Sequence, residues 1–153
     1  MTVSRERKNI SWPWWWIVAG LFLWVLLRHS AQYYPFIADD ALISLRYAER
    51  FLQGDGLTWT TGEWVEGYSN LAWILAISFL GFWGVDLIDA TRILGFVSVA
   101  IAFWALARTL KPQAHFHRFS HKLLYLLPWL GALAVLCASP PLAVWVIGGL
   151  EQS

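Results

Sequence analysis

Charge is what this sequence has least of. Only 14% of its 153 residues are Asp, Glu, Lys or Arg, where a soluble domain carries roughly 25%. That scarcity excludes an ordinary soluble domain and a disordered segment, both of which depend on charge for their solvation. A net charge of +1 excludes a nucleic-acid binder that works by electrostatic attraction. The single cysteine, Cys137, excludes an internal disulfide framework. There is no phosphate-binding glycine loop, nucleophile elbow, internal repeat or low-complexity tract. What the chain does have is apolar bulk, with 58% hydrophobic residues and 12 tryptophans. The composition fits an integral membrane protein of one domain, or a piece of one.

The charges are also segregated. Apolar runs cover Trp12–Leu27, Leu71–Val85, Ile93–Ala107 and Leu123–Leu150, and the first three contain no charge. They are 16, 15 and 15 residues long, and the fourth, 28 residues, is interrupted only by Pro128 and Pro140-Pro141. A spanning helix needs about 20 apolar residues, so length alone does not decide which runs cross. The first run follows Arg5, Arg7 and Lys8, but its bulky Trp12-Pro13-Trp14-Trp15-Trp16 start and its exit, Leu27-Arg28-His29-Ser30-Ala31, which lacks a clean small-x-small cleavage site, argue against a cleaved signal. It reads as an uncleaved helix with tryptophans at the inner interface.

Positive charge then sets the topology. The basic groups are Arg5, Arg7 and Lys8; Arg28, Arg46 and Arg50; Arg92; and Arg108, Lys111, Arg118 and Lys122. If all three early runs cross, seven positive charges fall outside and four inside, against the positive-inside rule. If Leu71–Val85 does not cross, the counts reverse. The expected architecture is therefore all-α: a first crossing over 12–27 and an outer loop over 28–92. That loop holds an amphipathic helix over 40–53 and a re-entrant or juxtamembrane helix over 71–85. A second crossing over 93–107, a basic cytoplasmic loop over 108–122 and a third crossing over 123–150 follow. Nine of the ten acidic residues, all but Glu6, then lie on the outer face of the cytoplasmic membrane.

The outer loop is the only polar stretch long enough to build a site. After Asp39-Asp40, the residues Ala41, Leu42, Leu45, Ala48, Phe51 and Leu52 recur at helical spacing, with Arg46, Glu49, Arg50 and Gln53 opposite and Gly54 set to end the helix. Such a helix suits a membrane surface. The aspartates have a purely local reading as helix N-caps. Glu63 and Glu66 follow in a Gly-, Thr- and Trp-rich loop, and neighbouring carboxylates repel unless a cation or a proton intervenes, which suits a divalent metal or general-base chemistry.

Three runs carry a resemblance: Asp39-Asp40-Ala41-Leu42-Ile43-Ser44-Leu45-Arg46-Tyr47-Ala48, Gly54-Asp55-Gly56-Leu57, and Gly62-Glu63-Trp64-Val65-Glu66-Gly67-Tyr68-Ser69-Asn70. Together they resemble the first outer loop of GT-C-type polytopic glycosyltransferases, nearest to arabinofuranosyltransferase-like and mannosyltransferase-like members. Ala138 to Glu151 looks like that family's next return to the outer face. The resemblance implies transfer of a sugar from a polyprenyl-phosphate donor to a glycan, lipid or protein hydroxyl at the outer membrane face. It implies Asp39 as catalytic base with Asp40 as partner or alternative, Glu66 near the donor or a metal, and Glu151 returning to the site. A divalent cation held by Asp39, Asp40 and Glu66 is compatible with the family, whose metal dependence varies. GT-C enzymes have many more helices, so the chain is expected to be an N-terminal part, a truncated product or one piece of a split enzyme.

The chemistry is coherent with this. A sugar hydroxyl is a weak nucleophile that a carboxylate assists by accepting its proton. The departing phosphate calls for a cation, for which Arg46 and Arg92 are the candidates, although each also has a simple partner in Glu49 or Asp89. Trp64, Tyr68 and Trp73 read either as walls for sugar or lipid or as interfacial anchors. His115, His117 and His121 stand in a basic loop without a carboxylate and read as a solvated inner loop near anionic headgroups. Cys137 reads as a small packing residue. The rival function is a non-catalytic membrane assembly partner, or a remnant that keeps the motif without the site. A third reading, a component of a lipid-carrier transporter, gives the outer carboxylates no task.

Overall fold

The computed structural model describes residues 14–63, 65–109 and 119–149. Among them every regular element is helical, and the only β pairing is an isolated bridge between Thr60 and Glu63. The all-α class expected from the sequence is what forms. Helix α1 spans Trp14–Ser30 and runs into a short 3-10 turn at Ala31–Tyr33; α2 spans Asp39–Leu52, α3 Leu71–Phe82, α4 Leu87–Thr109, α5 Phe119–Ala138 and α6 Pro140–Gly148.

Local chemistry sets these boundaries. Beyond α2, Gly54 takes φ +87°, and beyond α3, Gly84 takes φ +84°, the left-handed stop that glycine adopts without steric cost. Asp86 then opens α4: its Oδ1 accepts the N–H of Ile88 at 2.9 Å and of Asp89 at 3.3 Å, which makes it an N-cap. With that cap, α4 begins at Leu87 and not at the expected 93, so Asp89 and Arg92 are helical.

The run 123–150, expected as one crossing, is two helices meeting at 58°. Pro140 disfavours helical backbone at Ser139, which sits at φ −75°, ψ 109°. Neither Pro140 nor Pro141 has an N–H to offer the carbonyls of Leu136 and Cys137, four residues back. Both carbonyls find other donors. Ser139 N–H reaches Leu136 O at 3.3 Å, and His29 Nδ1 of α1 donates to Cys137 O at 2.8 Å. Because a carbonyl only accepts, that contact assigns the proton to Nδ1 and leaves Nε2 as an acceptor, 3.5 Å from the Tyr33 hydroxyl. The Cys137 thiol donates to Phe22 O at 2.9 Å, so α1 holds the bend at two points.

The helices pack as two groups that share α4. On one side Ala19 and Leu26 of α1, Val99 and Phe103 of α4, Trp129 and Leu133 of α5, and Val146 of α6 form one core. On the other, Leu45, Tyr47 and Ala48 of α2 meet Ile74 and Ile77 of α3 and Ala90 of α4. Gly81 lets α2, α3 and α4 close at one end, since a Cβ there would lie 2.7 Å from both Leu52 and Leu87 side chains.

The outward faces are apolar too. Ile17, Leu21 and Trp24 on α1, Leu75, Phe79 and Phe82 on α3, and Ile93, Val97, Ile101 and Trp104 on α4 are exposed at helical spacing. A helix apolar on all sides belongs in an apolar medium or deep inside a larger assembly. Of the three spans expected, one described helix, Leu87–Leu106 within α4, is long and apolar enough to cross a membrane, or two if the bent α5–α6 pair counts as one span. Helix α1 has 17 residues. Helix α3 has 12, about 18 Å at 1.5 Å per residue, against a hydrocarbon core of about 30 Å.

Replacing His29 by Phe leaves the Cys137 carbonyl without a donor in apolar surroundings. We expect a loss of about 1–3 kcal/mol in denaturant unfolding of the detergent-solubilised chain. His29→Gln, which keeps a donor, should lose less.

Candidate functional site

Helix α2 carries most of the residues singled out in the sequence. Its N-cap is Ala38, in extended conformation and without a side-chain cap bond. Asp39 and Asp40 are therefore the first two helical residues and not caps. Both are exposed, and neither side chain makes a hydrogen bond or ion pair with a described residue. What remains to hold two adjacent carboxylates there is the positive end of the helix dipole.

The end of α6 comes to the same place. Ala38 N–H donates to Gly148 O at 2.9 Å, and the Trp73 indole N–H donates to Gly149 O at 3.0 Å. Gly149 has φ +87°, and a Cβ there would lie 3.0 Å from Ala41 Cβ, 3.2 Å from Thr91 Oγ1 and 3.5 Å from Ile37 Cγ1. Only glycine fits both the backbone angle and the space. The returning chain is thus delivered to the first turn of α2, two residues before Glu151, which itself lies outside the described residues.

The two arginines considered for phosphate are already paired. Arg46 Nη1 donates to Glu49 at 2.7 Å; it lies seven residues beyond Asp39, about 10 Å along the axis. Arg92 Nη1 approaches Asp89 at 3.5 Å, and its side chain is 12% exposed. Its Nη2 donates to Pro35 O at 3.1 Å, and the guanidinium sits 4.7 Å from the Tyr34 ring centroid. Arg92 therefore fastens the segment that leads into α2.

The loop from 53 to 70 is tied down by α2 residues that the sequence reading did not assign to this task. The Tyr47 hydroxyl donates to Val65 O at 2.8 Å and accepts from Gly67 N–H at 3.0 Å. Gly67 has no room for a side chain, since a Cβ would lie 2.9 Å from that oxygen. Asn70 Nδ2 donates to Ser44 Oγ at 2.9 Å. Arg50, expected on the polar outer face, is 8% exposed; it pairs with Asp55 at 2.9 Å and donates to Thr61 Oγ1 at 2.7 Å. Leu42, Phe51 and Leu52, read from the sequence as part of an apolar face suited to a membrane surface, are exposed. The buried stripe is instead Ala41, Ser44, Leu45, Tyr47 and Ala48. Polar Ser44, Tyr47 and Arg50 lie inside because the loop supplies partners for each; the spacing of Ser44 and Tyr47, read with the small Gly67 and polar Asn70, was the available signal.

These contacts also locate Glu66, read from the sequence as a possible metal partner of Asp39 and Asp40. Val65 and Gly67 bracket Glu66 and are anchored at Tyr47, eight residues from Asp39 and about 12 Å along α2. Among the described residues no three His, Cys, Asp or Glu side chains converge into a group that could hold a metal. Tyr68 packs edge-on against Tyr47, 4.7 Å between centroids, and Trp73 faces Gly149, so both hold the scaffold. Trp64, His115 and His117 lie outside the described residues, as does the side chain of His121.

Two substitutions probe this assembly. Gly149→Ala meets both an unfavourable φ and the Ala41 contact, and should cost about 1–3 kcal/mol in unfolding free energy. Tyr47→Phe strands Val65 O and Gly67 N–H and should release the loop, read as faster amide exchange or proteolysis at residues 60–67 with the helices intact. In comparison with known proteins, no family model, no curated protein and no solved structure matches this chain.

Proposed function

We propose that the chain is a membrane-embedded glycosyltransferase module in which Asp39 is the general base, assisted by Asp40, for transfer of a sugar from a polyprenyl-phosphate donor to a hydroxyl acceptor. One observation carries this reading. Two exposed carboxylates, with no hydrogen bond or ion pair among the described residues, stand on the first turn of α2, beside the tightly packed return of the chain at Gly149. Carboxylates kept free of protein partners, and not used as caps, are available to a substrate. In the reaction the acceptor oxygen bonds to the anomeric carbon, the bond from that carbon to the phosphate oxygen breaks, and Asp39 takes the hydroxyl proton. Such proton transfer contributes about 10²–10⁴-fold to rate.

The membrane setting draws on the exposed apolar faces of α1, α3 and α4 and on the one long apolar helix. Helix α3 is too short to cross, which favours the topology with seven basic residues inside and α2 on the outer face of the cytoplasmic membrane. The second reading, a non-catalytic assembly partner, draws on Arg46 and Arg92, each already ion-paired and so less free to meet a departing phosphate.

The two readings part at Asp39. In membranes carrying Asp39→Asn in place of the wild-type chain, transfer from labelled polyprenyl-phosphate sugar should fall about 100-fold or more while the protein still inserts. Near-normal turnover would refute the base. A reporter fused after Lys122 should read as cytoplasmic; a periplasmic or extracellular signal would overturn the topology.

A further inference from the structure

Between α2 and the 53–70 loop opens a cleft of about 360 Å³ lined by Ile43, Tyr47, Trp59, Glu63, Val65 and Gly67. That volume is within the range of small-molecule sites, about 300–1,000 Å³. Its walls narrow the chemistry of an occupant. Trp59 is 47% exposed, and its ring leans on Tyr47, 6.0 Å between centroids at 52°, so a flat apolar surface is held ready at the opening. The Tyr47 hydroxyl already serves Val65 and Gly67, which leaves only its ring to the cleft. Glu63 is the one charged lining residue, and its exposed carboxylate has no partner among the described residues.

An acyl chain would cover that carboxylate without compensation. A phosphate would be repelled by it. A sugar ring satisfies both walls, with its C–H face on the indole and its hydroxyls donating to Glu63. An organic ammonium would also suit an aromatic ring and a carboxylate, and register along the helix decides between the two. Ile43 and Tyr47 lie four and eight residues beyond Asp39, turned about 40° and 80° round α2 from it, and Tyr47 is about 12 Å along the axis from Asp39. An extended glycan reaches from one to the other, and a small cation does not.

We propose that this cleft holds an inner sugar ring of a glycan acceptor, with Trp59 as the stacking surface and Glu63 as the hydroxyl acceptor, so that the glycan's terminal hydroxyl is directed toward Asp39. The choice of a sugar over an organic ammonium and the Asp39 end of this arrangement rest on the transferase reading; the fit of an aromatic wall and a carboxylate to the cleft does not. Trp59 and Glu63 bind and position the acceptor and take no part in the chemical step.

The test is equilibrium binding to the full chain in mild detergent, followed by saturation-transfer NMR and without any donor. The probes are neutral linear tetrasaccharides of arabinofuranose, mannopyranose and glucopyranose, and tetramethylammonium. At least one tetrasaccharide should bind. Trp59→Ala should weaken it about tenfold or more, Trp59→Tyr should keep most of the affinity, and Glu63→Gln should weaken it several-fold. Helical circular dichroism establishes that each variant is folded. Absence of binding by all three glycans, binding indifferent to Trp59→Ala and Glu63→Gln, or displacement of the glycan by tetramethylammonium would each overturn the proposal. Trp59-dependent binding in a chain that never transfers sugar would leave the cleft standing and remove the transferase. Loss of transfer in Asp39→Asn with no Trp59-dependent binding would do the reverse.

Discussion

A glycine held in the left-handed conformation against an alanine joins the two halves of this molecule. Gly149 has φ +87° and no space for a Cβ beside Ala41 and Thr91. Around it meet the start of α2, through the Ala38–Gly148 backbone bond, the start of α3, through the Trp73 indole, and the outer part of α4, through Thr91. Remove the close approach and the α2–α3 pair is left attached to α1, α5 and α6 mainly through α4. The position of Asp39 and Asp40 relative to the rest of the chain follows from this contact, because the residue that precedes them is bonded to the end of α6.

Several polar groups inside the helices find partners at short range: His29 for Cys137 O, the Cys137 thiol for Phe22 O, Ser78 Oγ for Ile74 O and Thr91 Oγ1 for Ile88 O, the last two about one turn back. The buried Ser30 hydroxyl has no partner among the described residues. In the 53–70 loop the pattern changes. Arg50, Tyr47 and Ser44 reach out to bind a polar segment, and the carboxylates of Glu63, Asp39 and Asp40 are left open to solvent. Buried order and exposed charge are thus divided between the loop's anchors and its rim.

Helices and their ends were readable from sequence where the signal was local. The expected 40–53 helix corresponds to Asp39–Leu52 with Gly54 as its stop, and 71–85 to Leu71–Phe82. Apolar content alone did not show that the helix containing 93–107 begins at Leu87, where the Asp86 cap sets its start, or that two prolines divide the 123–150 run into two helices. The buried side of α2 was harder to read. Hydrophobic spacing marked one apolar face, but burial depends on what covers a helix, and here a polar loop covers Ser44, Tyr47 and Arg50. Asp39 and Asp40 could be found from sequence, while their freedom from capping and pairing could not, because it depends on Ala38 being held by a residue 110 positions away. The loop position of Glu66 was not legible either, because it depends on Tyr47 tying Val65 and Gly67 two turns down the helix.

The central proposal is that a carboxylate pair without a partner among the described residues stands at a helix end on the outer face of the membrane. Its most direct test is labelling of an Asp40→Cys variant, in a Cys137→Ser background, by a membrane-impermeant maleimide applied to intact cells. The account predicts modification from outside at the rate of an exposed thiol, unchanged by lysis. Labelling that appears only after the cells are broken open, or not at all in folded protein, would contradict it.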